Sequence, residues 1–142
     1  MRVMPRHKFE GRENITNEEV DDMLSKCSLV KNPKQLQALI CIAHLFGKRL
    51  DEILRLKIGD ISLRGRSTEK FMYISFHVGK KKKTSETMAP KPYLKSITCL
   101  NPYTKYIGLY VKQRIDELYS CNTCRIIGEE YLFPAIYKST KP

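Results

Sequence analysis

The 142-residue chain carries 42% hydrophobic and 29% charged residues, the balance of a folded globular protein with one modest core rather than a disordered or fibrous one. Its formal charge of +11 and pI near 9.5 favour a polyanionic partner, because lysine and arginine release condensed counterions when they neutralise phosphates. No run approaches the roughly 18 apolar residues of a membrane span and no apolar leader is present, so an intracellular, nucleoid-associated protein without a membrane partner is expected.

In chain order, residues 1–14 form a basic lead-in (Arg2, Arg6, Lys8 and Arg12 against Glu10 and Glu13), and residues 15–142 are expected to make one domain. Thr16 and Glu19 have capping-box spacing, and Ile15, Val20, Met23, Leu24 and Cys27 follow at helical intervals, which predicts a helix ending near Ser28. Asn32-Pro33 opens a second helix, with Asn as cap and Pro in the first turn. Its run from Leu36 to Phe46 is apolar almost all round, the pattern of a central buried helix. After Gly47, a short third helix is expected from about Arg49 to Leu56.

The second half reads differently. Residues 59–63 form a turn entering a short strand, Phe71 to Val78 is rich in aromatic and β-branched residues, and Ser96 to Leu100 gives a third strand. Between the last two lies a long connection with Pro90 and Pro92. Residues 79–95 hold six lysines (Lys80 to Lys83, Lys91 and Lys95) against the single acid Glu86. Asn101-Pro102 caps a fourth helix to about Tyr119, whose inner face is Tyr103, Ile107, Tyr110, Val111, Arg114, Ile115 and Leu118. A polar loop then leads to Leu132-Phe133-Pro134. The expected class is α+β: a helical N-terminal half, a small three-stranded antiparallel sheet, then a helix.

One stretch is more specific than the rest. Gly47, Arg49, Glu52, Leu54 and Leu56, followed by Asp60-Ile61, resemble the first catalytic box of the tyrosine recombinase, or phage integrase, family. There a Gly-Leu-Arg step opens a helix reading Arg-x-x-Glu-Leu-x-x-Leu and leads to an Asp-Ile strand; here Lys48 replaces the leucine. The resemblance covers about residues 15–135. It implies the integrase catalytic fold, DNA integration or site-specific recombination through a 3′-phosphotyrosine, and double-stranded DNA as partner, without cofactor or metal. The matched Arg49 would contact the scissile phosphate, Glu52 would help to orient the site, and a lysine on the turn between strands two and three would protonate the departing 5′ oxygen. Lys80 stands at that turn, with Lys81, Lys82 and Lys83 chemically equal to it. The physics of phosphoryl transfer suits these roles, because a planar guanidinium grips two non-bridging oxygens at once.

The family's second box, His-x-x-Arg, has no counterpart: Glu10, Gly47 and Lys80 lie three residues after His7, His44 and His77. None of the eight tyrosines matches the nucleophile by position. The expectation is therefore a partial catalytic domain from a mobile genetic element, inactive alone. It would bind DNA through Lys48, Arg49 and Lys80 to Lys83, with further recombinase protomers or a separate C-terminal half completing the site. The alternative is a non-catalytic basic protein that binds RNA or DNA without any role for Arg49. Cys121 and Cys124 could supply two zinc ligands, but a four-ligand site needs a second pair, and the five cysteines read better as reduced thiols.

Overall fold

A computed structural model describes residues 15–66, 68–77, 93–121 and 126–134. Helix α1 (Asn17–Lys26) starts where the capping box places it: Glu19 N–H donates to Thr16 Oγ1 at 3.1 Å, and Thr16 N–H donates to Glu19 Oε1 at 2.9 Å. Both donors would otherwise be orphans of the first turn. Its buried residues, Val20 and Leu24, lie four apart and so share one face, with Cys27 of the following turn.

Helix α2 (Pro33–Phe46) begins at Asn32, whose Oδ1 accepts Gln35 N–H, and stops at Gly47. There φ is +64°, a left-handed conformation that side-chain-bearing residues adopt at a penalty. This helix buries Ala38, Cys41 and Ile42 completely and packs against the last helix. Burial pushes the Cys41 thiol up to about 12, so it behaves as an inert core residue.

Helix α3 is shorter than the pattern suggests, Leu50–Leu54, because Arg49 keeps an extended backbone outside it. A 3₁₀ turn, Ile58–Asp60, then feeds a meander of β1 (Ile61–Arg66), β2 (Glu69–Phe76) and β3 (Tyr93–Thr98), antiparallel and in sequence order. Met72, Ile74 and Phe76 alternate into the core with the period of two that a half-buried strand requires. The third strand starts three residues earlier than the sequence indicated. Its register is set by β2, with Tyr93 opposite Phe76 and Ile97 opposite Met72. Cys99 and Leu100 belong to the turn that follows.

Helix α4 (Thr104–Ser120) is preceded by a turn in which Asn101 Oδ1 accepts Tyr103 N–H at 2.9 Å, so Pro102 lies before the helix rather than in its first turn. Its inner face is Thr104, Ile107, Tyr110, Arg114 and Leu118, at spacings of three and four. After a last 3₁₀ turn, Ile127–Glu129, the chain is sewn onto the α3–β1 link by main-chain bonds. Ile58 N–H donates to Glu130 O and Leu132 N–H to Leu56 O, each at 2.9 Å. The backbones meet so closely that a Cβ on Gly59 would lie 3.0 Å from Gly128 O. Leu132 and Phe133 are thereby fully buried.

Over the described residues the fold is α+β, with four helices and a small three-stranded antiparallel sheet. Among the described residues no helix is long and apolar enough to cross a membrane.

Candidate nucleic-acid interface

Each residue of the box around Arg49 has a visible local task, and the exception is Arg49 itself. Gly47 makes the left-handed turn that ends α2. Leu54 and Leu56 are core residues. Asp60 ties the corner before β1: its Oδ2 accepts Lys57 N–H at 2.8 Å, and its Oδ1 lies 3.0 Å from His77 Nε2.

Glu52 meets Arg49 through the main chain rather than through the guanidinium. Its Oε1 accepts Arg49 N–H at 3.0 Å, closing the first turn of α3. The Arg49 side chain remains 81% exposed, and its contact among the described residues is a loose pair with Asp51, Nε to Oδ1 at 3.8 Å. Such a surface pair is worth about 0–1 kcal/mol and competes weakly with an anionic ligand.

Lys48 supplies the second cation. Its ammonium lies 4.6 Å from the ring centroid of Tyr93 and 5.4 Å from that of Phe76, while the Phe46 ring packs on Phe76 at 5.6 Å. The departure from leucine is accommodated because the lysine stem covers the rings and the charge stays at the surface. Phe76 and Tyr93 are the cross-strand pair at the end of β2 and the start of β3. The chain thus leaves and re-enters the sheet beside Lys48. The intervening Lys80, Lys81, Lys82 and Lys83 lie outside the described residues, as do the arginines and lysine of the basic lead-in.

The segment before Pro134 is fixed from α4. Tyr110 Oη donates to Leu132 O at 2.6 Å and its ring stacks on Phe133, with centroids 5.2 Å apart and planes 16° from parallel. Arg114, only 8% exposed, donates from Nη2 to Tyr131 O at 2.9 Å and pairs through Nη1 with Glu117 at 3.3 Å. A sequence pattern that puts Arg114 on the inner face of a helix cannot name this carbonyl partner.

Cys121 is an exposed free thiol, and Cys124 lies outside the described residues. Among the described residues no three His, Cys, Asp or Glu side chains gather as a metal site. Sequence reasoning passed over Arg55, Lys57 and His77, which the fold brings together beyond the other end of α3. No spacing rule links residue 77 to residues 55 and 57. Compared with known proteins, the chain matches no family model, no curated protein and no solved structure.

Proposed function

We propose that this chain binds duplex DNA as the Arg49-bearing part of a tyrosine-recombinase catalytic domain, and that it does not cleave DNA by itself. The observation that carries this reading is the state of Arg49. Within a box whose other members are spent on a turn, a cap, the core and a corner, its guanidinium projects into solvent with one loose ion pair. A planar guanidinium held this way is suited to the non-bridging oxygens of a phosphodiester. Lys48, next in the chain and seated over Tyr93 at the start of β3, adds a second cation. The element order of helices, three-stranded meander and helix agrees with the N-terminal part of an integrase catalytic domain.

In this reading Arg49 stabilises charge on the phosphate, a lysine among Lys80 to Lys83 serves as the general acid, and Glu52 acts indirectly by holding the Arg49 main chain. Covalent capture needs in addition a nucleophile and a fuller cationic array. No residue of 1–142 matches the His-x-x-Arg box or the positioned tyrosine, so in this reading those groups are supplied from outside residues 1–142.

The test is the salt dependence of duplex binding. Log affinity should fall by about 0.9 per phosphate neutralised for each tenfold rise in salt. Arg49→Ala should flatten that slope by about one contact, and alanines at Lys80 to Lys83 should flatten it further. A suicide substrate should leave no protein–DNA adduct. If Arg49→Ala binds with an unchanged slope while the lysine variant loses binding, the protein is a basic nucleic-acid binder without a recombinase-like site. An adduct on one of the chain's own tyrosines would overturn the non-catalytic part.

A further inference from the structure

A depression of about 470 Å³ opens at the junction of the α3–β1 link, the end of β2 and the segment before Leu132, lined by Arg55, Lys57, His77 and Tyr131. Its volume falls in the range of roughly 300–1,000 Å³ common to small-ligand sites. Among the described residues none of the lining side chains is acidic. The nearby carboxylates are engaged with the cations and imidazole from outside the lining. Asp60 holds His77 and the Lys57 amide, and Glu129 pairs with the Lys57 ammonium at 3.5 Å.

Arg55 differs from its neighbours. It is half-buried, and among the described residues its guanidinium makes no ion pair or hydrogen bond. A guanidinium without an ionic or hydrogen-bonded partner keeps its whole fork of N–H donors available to an anion.

We propose that this depression binds a phosphoryl group. The Arg55 fork would take two of its oxygens, with the Lys57 ammonium, the His77 ring and the Tyr131 ring, whose centroid lies 5.9 Å from Lys57 Nζ, lining the same depression. A carboxylate presents two oxygens in one plane, whereas a tetrahedral phosphoryl group presents oxygens to donors converging from several sides. The walls are fixed rather than mobile side chains alone. Lys57 and Tyr131 are joined as a backbone bridge, and Asp60 orients His77. The phosphoryl group belongs either to a nucleic-acid backbone or to free phosphate. The binding chemistry is the same, and it does not depend on the role proposed for Arg49.

The experiment titrates inorganic phosphate into the isotopically labelled full chain and follows the Arg55 and His77 side-chain resonances by NMR. Saturable shifts at both are expected, with affinity at least tenfold weaker in Arg55→Gln, partly retained in Arg55→Lys, and unchanged in Lys112→Gln, a surface lysine on α4. Melting of the Arg55 variants confirms that they fold; the guanidinium leaves no bonded partner orphaned when replaced. Absence of saturable shifts in the native chain, or an Arg55→Gln titration equal to it, overturns the proposal. A parallel duplex titration identifies the source. Weaker binding by Arg55→Gln with a salt slope reduced by about 0.9 assigns the site to a backbone phosphate, and unaltered duplex binding assigns it to the free ion. Because the phosphate titration contains no DNA, it stands even if duplex binding through Arg49 fails.

Discussion

The carboxylate of Glu52 accepts the backbone N–H of Arg49 at 3.0 Å, so these two residues meet through the main chain while the guanidinium points to solvent. Glu52→Ala removes the acceptor and frays the start of α3, with an expected loss of about 1 kcal/mol in urea denaturation. Glu52→Gln keeps a side-chain oxygen at the same reach and should stay within a few tenths of the native value. Equal losses in the two variants would show that the negative charge, not the cap, carries the effect.

Tyr110 anchors the segment before Pro134 by a hydroxyl and a ring. Tyr110→Phe leaves the buried Leu132 carbonyl without that donor and should destabilise the protein by about 1–3 kcal/mol. Tyr110→Leu loses the stacking on Phe133 as well, adding about 0.5–1.5 kcal/mol. Limited proteolysis should then cut within residues 126–134 before the rest of the domain, whereas the native chain resists there.

At Lys48 the stem and the charge can be separated. Lys48→Leu restores the apolar packing on Phe76 and Tyr93 and gives up a cation–π contact worth about 0.5–1 kcal/mol at an exposed site, so thermal stability should change little. Duplex binding should lose about 0.9 from its salt slope. A variant that melts many degrees lower with an unaltered slope would make Lys48 a structural residue only.

Alkaline pH should destabilise the protein through buried thiols and phenols, of which Cys41 and Tyr103 are shifted furthest. Burial pushes the Cys41 thiol from its ordinary 9.0 to about 12, and Cys27 and Asp21 nearby act in the same direction. Burial also raises the Tyr103 phenol from 10.0 to about 12, helped by its hydrogen bond to Asp21 at 2.9 Å. Both groups stay protonated in the folded state while the unfolded chain releases their protons. Their contribution is therefore whole below pH 9 and declines between about pH 9 and 12. Melting temperature should be level to pH 9 and then fall; in Cys41→Ala the fall should be shallower between pH 9 and 10, where Cys27, also raised by burial, still contributes. A melting temperature independent of pH up to 11 would contradict the assignment.

The elements written in local chemistry were legible before any coordinates. The Thr16–Glu19 box, the Asn32-Pro33 start, the break at Gly47 and the aromatic and β-branched run from Phe71 are local signals, and a sequence displays those directly. The start of β3 was not legible, because its register is imposed by β2 across a long connection. Likewise Arg55 and His77 come together only after the α3–β1 link turns and β2 returns. Arg49 stands out by motif, yet its exposure depends on Glu52 choosing the amide over the guanidinium, and both choices fit the spacing.

The bonds between Leu56–Ile58 and Glu130–Leu132 join points separated by more than half the chain. A contact so distant in sequence requires the intervening helix and sheet to be in place before its loop-closure entropy is repaid. The α1–α2 pair and the meander therefore organise first, and the Leu132-Phe133 segment docks last. In a chevron, perturbing that seam should raise the unfolding rate while leaving the folding limb nearly where it was. The same order means that, until residues 126–134 have docked, the apolar surface they cover near Leu56 and Tyr110 stands open to other chains. Aggregation during refolding should then rise with protein concentration even though the finished fold hides every one of those residues.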